Sequence, residues 1–187
     1  MTRRIERARL SIAAGNAVQG VMLAGGVATL ALSMSGVAIA FRIAGMIAGY
    51  LLIYFSVHAA AHWLVGRLVG IRFTHYSIGG TTHAAAYPPG MRQLFVRLPF
   101  FAVHVDSASL RAASPIAQAM MFGAGMTSSV LGCTLAATWC AIGGAPGGVA
   151  LLVVNTVWFA GALIAETRTC GDYTKAAQAL AARHQGR

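Results

Sequence analysis

Two histidines four residues apart, His58 and His62, lie near the end of a long apolar segment. On a helix, side chains at this spacing project from one face, so both imidazoles can reach a single metal ion. In the hydrolytic version of this motif, a glutamate directly after the first histidine acts as the general base. That position holds Ala59 in this chain. The pair therefore predicts metal ligation without the residue that metal-assisted hydrolysis needs.

Membrane-spanning helices are the elements that must position this pair. The chain has 187 residues, of which 57% are hydrophobic and 10% charged, and its mean hydropathy is +0.68. These values are too apolar for a soluble domain of this length. We expect a single integral membrane domain over residues 1–187, all-α in class. Its four apolar runs, each near the ~20 residues that a bilayer requires, cover about residues 10–34, 43–66, 116–142 and 149–165.

The net charge of +10 is best explained by membrane topology. Nucleic-acid binding is not expected, because the basic residues collect at the ends of the apolar runs and lack interleaved aromatic residues for stacking. By the positive-inside rule, both termini and the middle connection are cytoplasmic. Size and topology favour a prokaryotic inner membrane. The connection between the first two spans has only Arg42, and the one between the last two has no charge. The other basic residues lie in the segments assigned to the cytoplasm: Arg3, Arg4, Arg7, Arg9, Arg67, Arg72, Arg92, Arg97, Arg111, Arg168, Lys175, Arg183 and Arg187.

The connection between the second and third spans, about residues 67–114, is too long for a plain turn. Residues 71–78 alternate loosely, are rich in strand-favouring types and run into Gly79 and Gly80. Residues 81–87 could return as a second strand, which predicts a cytoplasmic β-hairpin. The apolar and basic stretch from 91 to 104 could lie at the membrane interface or add a further strand. The connection also contains three histidines, each a candidate additional ligand: His75, His83 and His104.

Small residues four apart predict places where helix backbones approach closely. Gly45 and Gly49 form such a pair in the second span, and Gly125 and Ser129 form one in the third. We expect these pairs to serve packing within the chain, with dimerisation as the alternative. Three cysteines, an odd number, provide no disulfide framework.

Four sequence segments occur in a recognisable order between about residues 43 and 176. They are a histidine-pair helix, a strand with Gly-Gly, a proline-led span with small residues, and a span leading to an acidic residue. The matching words are His58-Ala-Ala-Ala-His62, Ile78-Gly-Gly80, Ser114-Pro-Ile-Ala117 running into Gly123-Ala-Gly125, and Asn155 followed by Gly171-Asp172. This order resembles the intramembrane zinc metalloproteases of the site-2 protease family.

The resemblance implies a ligand set for zinc. His58 and His62 would be its imidazole ligands and Asp172 its carboxylate ligand, while the span that contains Asn155 would help to position a substrate or the site. The family has a proline-containing run between the asparagine and the aspartate, and this chain lacks it. Two residues therefore compete with Asp172 for the third position: Glu166 and Cys170.

The same residues also permit readings without a metal. Asp172 could be a solvated residue after the fourth span, or a partner for Lys175 three residues on. The histidine pair could be a vestige that is hydrogen-bonded to neighbouring spans.

Three functions are consistent with these features. Because Ala59 replaces the base, we expect a non-catalytic member of this class that keeps the fold, retains a place for zinc, and binds a partner helix or another membrane protein. The second reading is an accessory or structural subunit of a larger membrane complex, whose histidines face a haem or a chlorin. The third is an active zinc metalloprotease with a displaced base, for example Glu166.

Overall fold

A computed structural model describes residues 6–35, 38–80, 89–169 and 171–185. Within this part of the chain there are seven helices and three strands. In chain order they are β1 (Glu6–Leu10), α1 (Ile12–Ser33), α2 (Ile39–Leu68), β2 (Phe73–Gly79), α3 (Pro89–Arg97), β3 (Phe100–Val105), α4 (Ser107–Ala112), α5 (Pro115–Ile142), α6 (Gly148–Thr169) and α7 (Asp172–Gln185).

Four of these helices are long and apolar enough to cross a membrane: α1, α2, α5 and α6. They coincide with the four predicted spans to within a few residues, so the predicted set of four apolar helices is confirmed. Ser11 begins α1 by accepting a hydrogen bond from the Ala14 amide, and Ser114 begins α5 in the same way, followed by Pro115 in the first turn. Both are standard helix starts.

The helical bundle buries polar side chains among an apolar core, and its exterior is also largely apolar. Its buried polar side chains include Gln19, Ser56 and Asn155. Large apolar side chains lie on the outside, for example Val21 at 73% exposure and Leu135 at 69%. A water-soluble bundle would expose mainly polar groups, whereas helices that face lipid can expose apolar groups and pack through small residues. The length of the four helices and their apolar exterior are those expected of membrane-spanning helices.

Glycines bring α1 and α2 into close contact. A Cβ atom at Gly49 would lie 2.8 Å from the carbonyl oxygen of Gly26, and one at Gly26 would lie 2.9 Å from the carbonyl oxygen of Gly49. Gly45 packs at ordinary distance against Ser33 and Thr29. The glycine pair of the second span thus serves packing within the chain, as expected.

The strands form one antiparallel sheet in the order β1-β2-β3. Its central strand, β2, matches the strand predicted over residues 71–78. The hairpin partner predicted at residues 81–87 lies outside the described residues, as do His83 and Cys170. In the described part of the chain, β2 pairs instead with β1 and β3. The two-stranded hairpin is therefore corrected to a three-stranded sheet, and the stretch from 91 to 104 divides between α3 and β3.

The sheet fixes the relation between two distant segments. β1 precedes the first long helix, and β2 follows the second. Because these strands are hydrogen-bonded neighbours, the N-terminal segment and the middle connection lie at the same end of the helical bundle. The histidine pair lies within two to three turns of this end of α2.

Candidate metal centre

The structure brings the three predicted ligands together. His58 and His62 lie on one face of α2, with ring centroids 4.8 Å apart. Asp172 is the first residue of α7, and its Oδ2 atom lies 3.1 Å from His62 Nε2 and 3.3 Å from His58 Nε2. One donor atom from each residue lies within 4.8 Å of the other two. The histidines and the aspartate are about 110 positions apart, so only the fold unites them.

The proton on His62 is placed by α5. His62 Nδ1 lies 2.7 Å from the carbonyl oxygen of Met121. A carbonyl oxygen can only accept, so Nδ1 must carry the hydrogen and donate it. In a neutral imidazole this leaves Nε2, the atom that faces Asp172, with its lone pair. Such an outer hydrogen bond is the usual way in which a protein orients a metal-binding histidine.

His58 is oriented in the same way through a hydroxyl. Its Nδ1 lies 3.1 Å from Ser129 Oγ, and that hydroxyl donates its own hydrogen to the carbonyl of Gly125 at 3.1 Å. With its hydrogen used, Ser129 must accept from His58 Nδ1. Both imidazoles therefore direct Nε2 toward the same carboxylate oxygen.

This arrangement needs a positive species at its centre. Two Nε2 lone pairs facing an ionised carboxylate repel it, so either protons on the imidazoles or a metal ion must lie between them. Zinc binds histidine nitrogen and carboxylate oxygen at about 2.0–2.2 Å, which at a tetrahedral angle separates ligand atoms by about 3.3 Å. The observed separations of 3.1 and 3.3 Å match that value. The donor set fits a divalent cation such as zinc.

The surroundings of Asp172 stabilise the ionised form of its carboxylate. Burial by itself would raise its pKa, but in the metal-free chain, where protons on the imidazoles fill the centre, hydrogen bonds donated by His58 and His62 outweigh that effect and hold the pKa well below its ordinary value. Asp172 also opens α7, where the partial positive charge of a helix start favours an anion. Lys175 Nζ lies 3.9 Å from the other carboxylate oxygen. The ion pair with Lys175 thus exists beside the histidine contacts and does not replace them.

Gly125 makes room for the His62 ring. A Cβ atom at this position would overlap the imidazole, lying 2.6 Å from Cε1 and in still closer contact with Nε2. The spacing of Gly125 and Ser129 predicts a helix-packing pair. Their actual contacts are with the histidines, because Gly125 provides space for one ring and Ser129 accepts from the other. The four-residue spacing of Gly125 and Ser129 marks them as neighbours on one face of α5, but nothing in the sequence shows that this face meets the histidines of α2.

A cavity of about 360 Å³ opens beside the three ligands. Its walls come from α2, β3, α5, α6 and α7, and most of them are apolar. Ala59 is in the wall and is 1% exposed. A methyl group cannot accept a proton, so the position next to His58 offers no base to the cavity.

Glu166 also lines the cavity but stands outside the ligand cluster. Its Oε2 atom accepts the backbone N–H of Tyr173 at 3.0 Å, so the carboxylate caps the first turn of α7. Between the two acids, the structure therefore brings Asp172 and not Glu166 to the histidines.

Asn155 belongs to a separate network between helices. It is 2% exposed. It accepts a hydrogen bond from Tyr50 Oη at 2.7 Å and donates to Thr134 Oγ1 at 3.0 Å. These contacts link α6 to α2 and α5, and Asn155 is not among the residues that line the cavity. Its position in the structure is that of an interhelical link.

Comparison of the chain with protein-family models, curated proteins and solved structures found no match. The resemblance to the site-2 protease family therefore stands on the order of the motifs. The convergence of two imidazoles on one carboxylate is a separate observation that does not depend on it.

Proposed function

We propose that this chain is an integral membrane protein that holds a zinc ion between His58, His62 and Asp172 and does not cut peptide bonds. In this reading it is a non-catalytic relative of the intramembrane metalloproteases. One observation carries the proposal: both Nε2 atoms face the same carboxylate oxygen of the partly buried Asp172, while both Nδ1 atoms are held by acceptors from α5. Bound zinc acts as a Lewis acid.

The residues around the ligands explain why cleavage is not expected. Hydrolysis at such a centre needs a general base within hydrogen-bond reach of the attacking group. Ala59 has no such group. Glu166, the remaining carboxylate in the described cavity wall, is engaged by the Tyr173 amide. The three ligands can therefore hold a cation, but the position after His58, where the hydrolytic motif has its base, is an alanine.

The same geometry favours a small cation over a haem or a chlorin. An axial histidine faces the open plane of a macrocycle with its nitrogen. Here the Nε2 atoms of both histidines lie within 3.3 Å of one carboxylate oxygen. That oxygen occupies the position where the plane of a pigment would lie.

We propose further that the cavity receives an apolar segment of a partner membrane protein. The wall is mainly aromatic and aliphatic, and it includes Phe100, Phe101 and Val103 from β3. β3 is an edge strand of the described sheet, so this wall of the cavity lies at the edge of the sheet. The cavity volume of about 360 Å³ suits a few side chains of such a segment.

We propose an inner-membrane location in a prokaryote, with both termini and the middle connection in the cytoplasm. The positive-inside rule supports this orientation. The pairing of β1 with β2 supports the common side of the N-terminal segment and the connection. Labelling of single cysteines introduced at Arg7 and Arg111 in intact cells tests it. Protection of both from a membrane-impermeant reagent is expected, and labelling of either one contradicts the orientation.

The catalytic part of the proposal is tested with purified, zinc-loaded protein and a single-span model peptide. Mass spectrometry is expected to find the peptide intact after incubation with the native chain. Cleavage that disappears in a His58→Ala variant would overturn the proposal. A Glu166→Gln variant would then show whether that carboxylate supplies the base.

The partner part is tested by photo-crosslinking in the native membrane. A photoreactive phenylalanine analogue replaces Phe101 in the cavity wall, and a matched control replaces Leu135, which is 69% exposed on the outer face of α5. We expect one adduct with an uncut membrane protein from position 101 and not from position 135. Identical patterns at the two positions would contradict a specific partner in the cavity.

A further inference from the structure

A second cluster of metal-binding side chains lies on the sheet. Glu6 comes from β1, His75 from β2 and His104 from β3, and one donor atom of each lies within 4.8 Å of the other two. His75 and His104 are direct cross-strand neighbours. Their rings stack at 4.2 Å with an interplanar angle of 7°. Each strand of the sheet thus contributes one residue to a single point.

The cluster is on the face of the sheet opposite to α1. Tyr76 packs against Gly15 of α1 and donates its hydroxyl hydrogen to Asn16 at 2.7 Å. Successive residues of a strand point to opposite faces. His75 and Ser77 therefore project away from α1. The cluster shares no residue with the centre on α2.

His75 presents an unused electron pair. Thr74 Oγ1 donates its hydrogen to the carbonyl oxygen of His104 at 3.2 Å. It must then accept from His75 Nδ1, which lies 2.9 Å away. His75 Nε2 is left as an acceptor, and it is buried without a hydrogen-bond partner in the described structure. Buried polar atoms of this kind are uncommon and call for a ligand, an ion or a water.

Glu6 supplies the negative charge. Its Oε1 atom lies 3.4 Å from His104 Nε2, and its Oε2 atom accepts from Arg9 Nε at 2.9 Å. A register irregularity between Glu6 and Ala8 alters the pairing of β1 at this point. Such bulges commonly re-aim a side chain. An ionised carboxylate therefore stands beside the two imidazoles, with Ser77 Oγ 2.8 Å from His104 Nε2.

We propose that Glu6, His75 and His104 form a second site for a divalent cation of the zinc class. Two imidazoles and one carboxylate are a common donor set for zinc and neighbouring transition metals. One donor atom of each residue already lies within 4.8 Å of the other two, so the three side chains can converge on one ion. The ion ties the short N-terminal strand to the middle connection at the end of the bundle that carries the sheet.

Zinc titration of the full chain in detergent tests this proposal separately from the centre on α2. A His58→Ala, His62→Ala double variant is expected to retain one zinc per chain, and a His75→Gln, His104→Gln double variant is also expected to retain one. The quadruple variant should bind none. In the His58→Ala, His62→Ala background, zinc should slow amide hydrogen exchange at residues 6–10, and Glu6→Gln should weaken binding at least tenfold.

The reciprocal pairs keep the two proposals distinguishable. If the His58→Ala, His62→Ala chain binds no zinc, the second site is refuted whatever the native chain does. If the His75→Gln, His104→Gln chain binds as much zinc as the native chain, the second site is likewise refuted. Should that variant fail to fold by circular dichroism, the Glu6→Gln variant decides, because an unchanged affinity there contradicts the proposal.

Discussion

The Gly125→Ala variant provides a strict test of how the His62 ring is held. The added Cβ atom would lie 2.6 Å from His62 Cε1, whereas ordinary contact begins at 3.4 Å. Nε2 would be in still closer contact, so the ring must retreat by more than the 0.8 Å difference between these distances. A shift of 0.8 Å is already about four times the ±0.2 Å within which metal–ligand distances normally fall.

We expect this displacement to weaken zinc binding by about 100-fold, or ~2.7 kcal/mol. Loss of an outer hydrogen bond to a metal-bound histidine typically costs 10- to 100-fold in affinity, and a displaced ring loses both that bond and its alignment. The helix itself should tolerate the change, because alanine is favoured over glycine inside a helix by about 1 kcal/mol. The variant should therefore fold but bind zinc poorly.

Competition with a chelator of known affinity measures this loss in purified protein. The matched control is Gly132→Ala, the same substitution in the same helix. Its Cβ atom would lie 3.6 Å from Val57 Cγ1 and 3.8 Å from Val57 Cγ2, which is ordinary contact. We expect native zinc affinity in the control. The titration is made in the His75→Gln, His104→Gln background, so that only the centre on α2 reports.

Equal zinc affinity in the two glycine variants would refute the reasoning. It would mean that the space at Gly125 does not set the position of the ring, or that His62 is not a ligand. A Gly125→Ala chain that unfolds, while Gly132→Ala stays folded, would instead show that the close contact supports the bundle before it supports the metal.

Three further predictions concern other parts of the same structure. In the metal-free protein, the lowered pKa of Asp172 means that its carboxylate stabilises the fold above the ordinary aspartate pKa of about 3.9, and that this contribution is lost as the pH falls below that value. Amide hydrogen exchange in α7 should therefore accelerate below about pH 3.9, and the Asp172→Asn variant should not show this pH dependence. Tyr50→Phe removes the hydrogen bond to Asn155 and should lower the free energy of unfolding by about 1 kcal/mol without changing zinc affinity, which thermal unfolding and the chelator assay check together. Gly49→Val forces a side chain against the Gly26 backbone and should destabilise the protein by about 1–3 kcal/mol, whereas Gly161→Ala, with open space around it, should not.

The four long helices could be predicted from the sequence, because an apolar run of bilayer length has few alternatives. The sheet could be predicted only in part. β2 is rich in strand-favouring residues, but β1 is five residues with three charged side chains and gives no alternating signal. Its pairing joins Glu6 to Gly79, a contact between distant segments that no local pattern reveals.

The candidate metal centre, too, could be predicted from the sequence only in part. The spacing of His58 and His62 requires only that the segment be a helix, so the pair could be inferred directly. The choice between Glu166 and Asp172 could not, since it depends on how α7 packs against α2 and α6. In the structure, Glu166 accepts from the Tyr173 amide and Asp172 faces His62 of α2.

Zinc content of the purified chain, compared with that of the His58→Ala, His62→Ala variant, tests the central claim most directly. Elemental analysis by mass spectrometry after removal of loosely bound metal measures both. The structure predicts that the native chain carries one more zinc ion per molecule than the variant. Equal zinc content in the two proteins would contradict a metal centre formed by His58, His62 and Asp172.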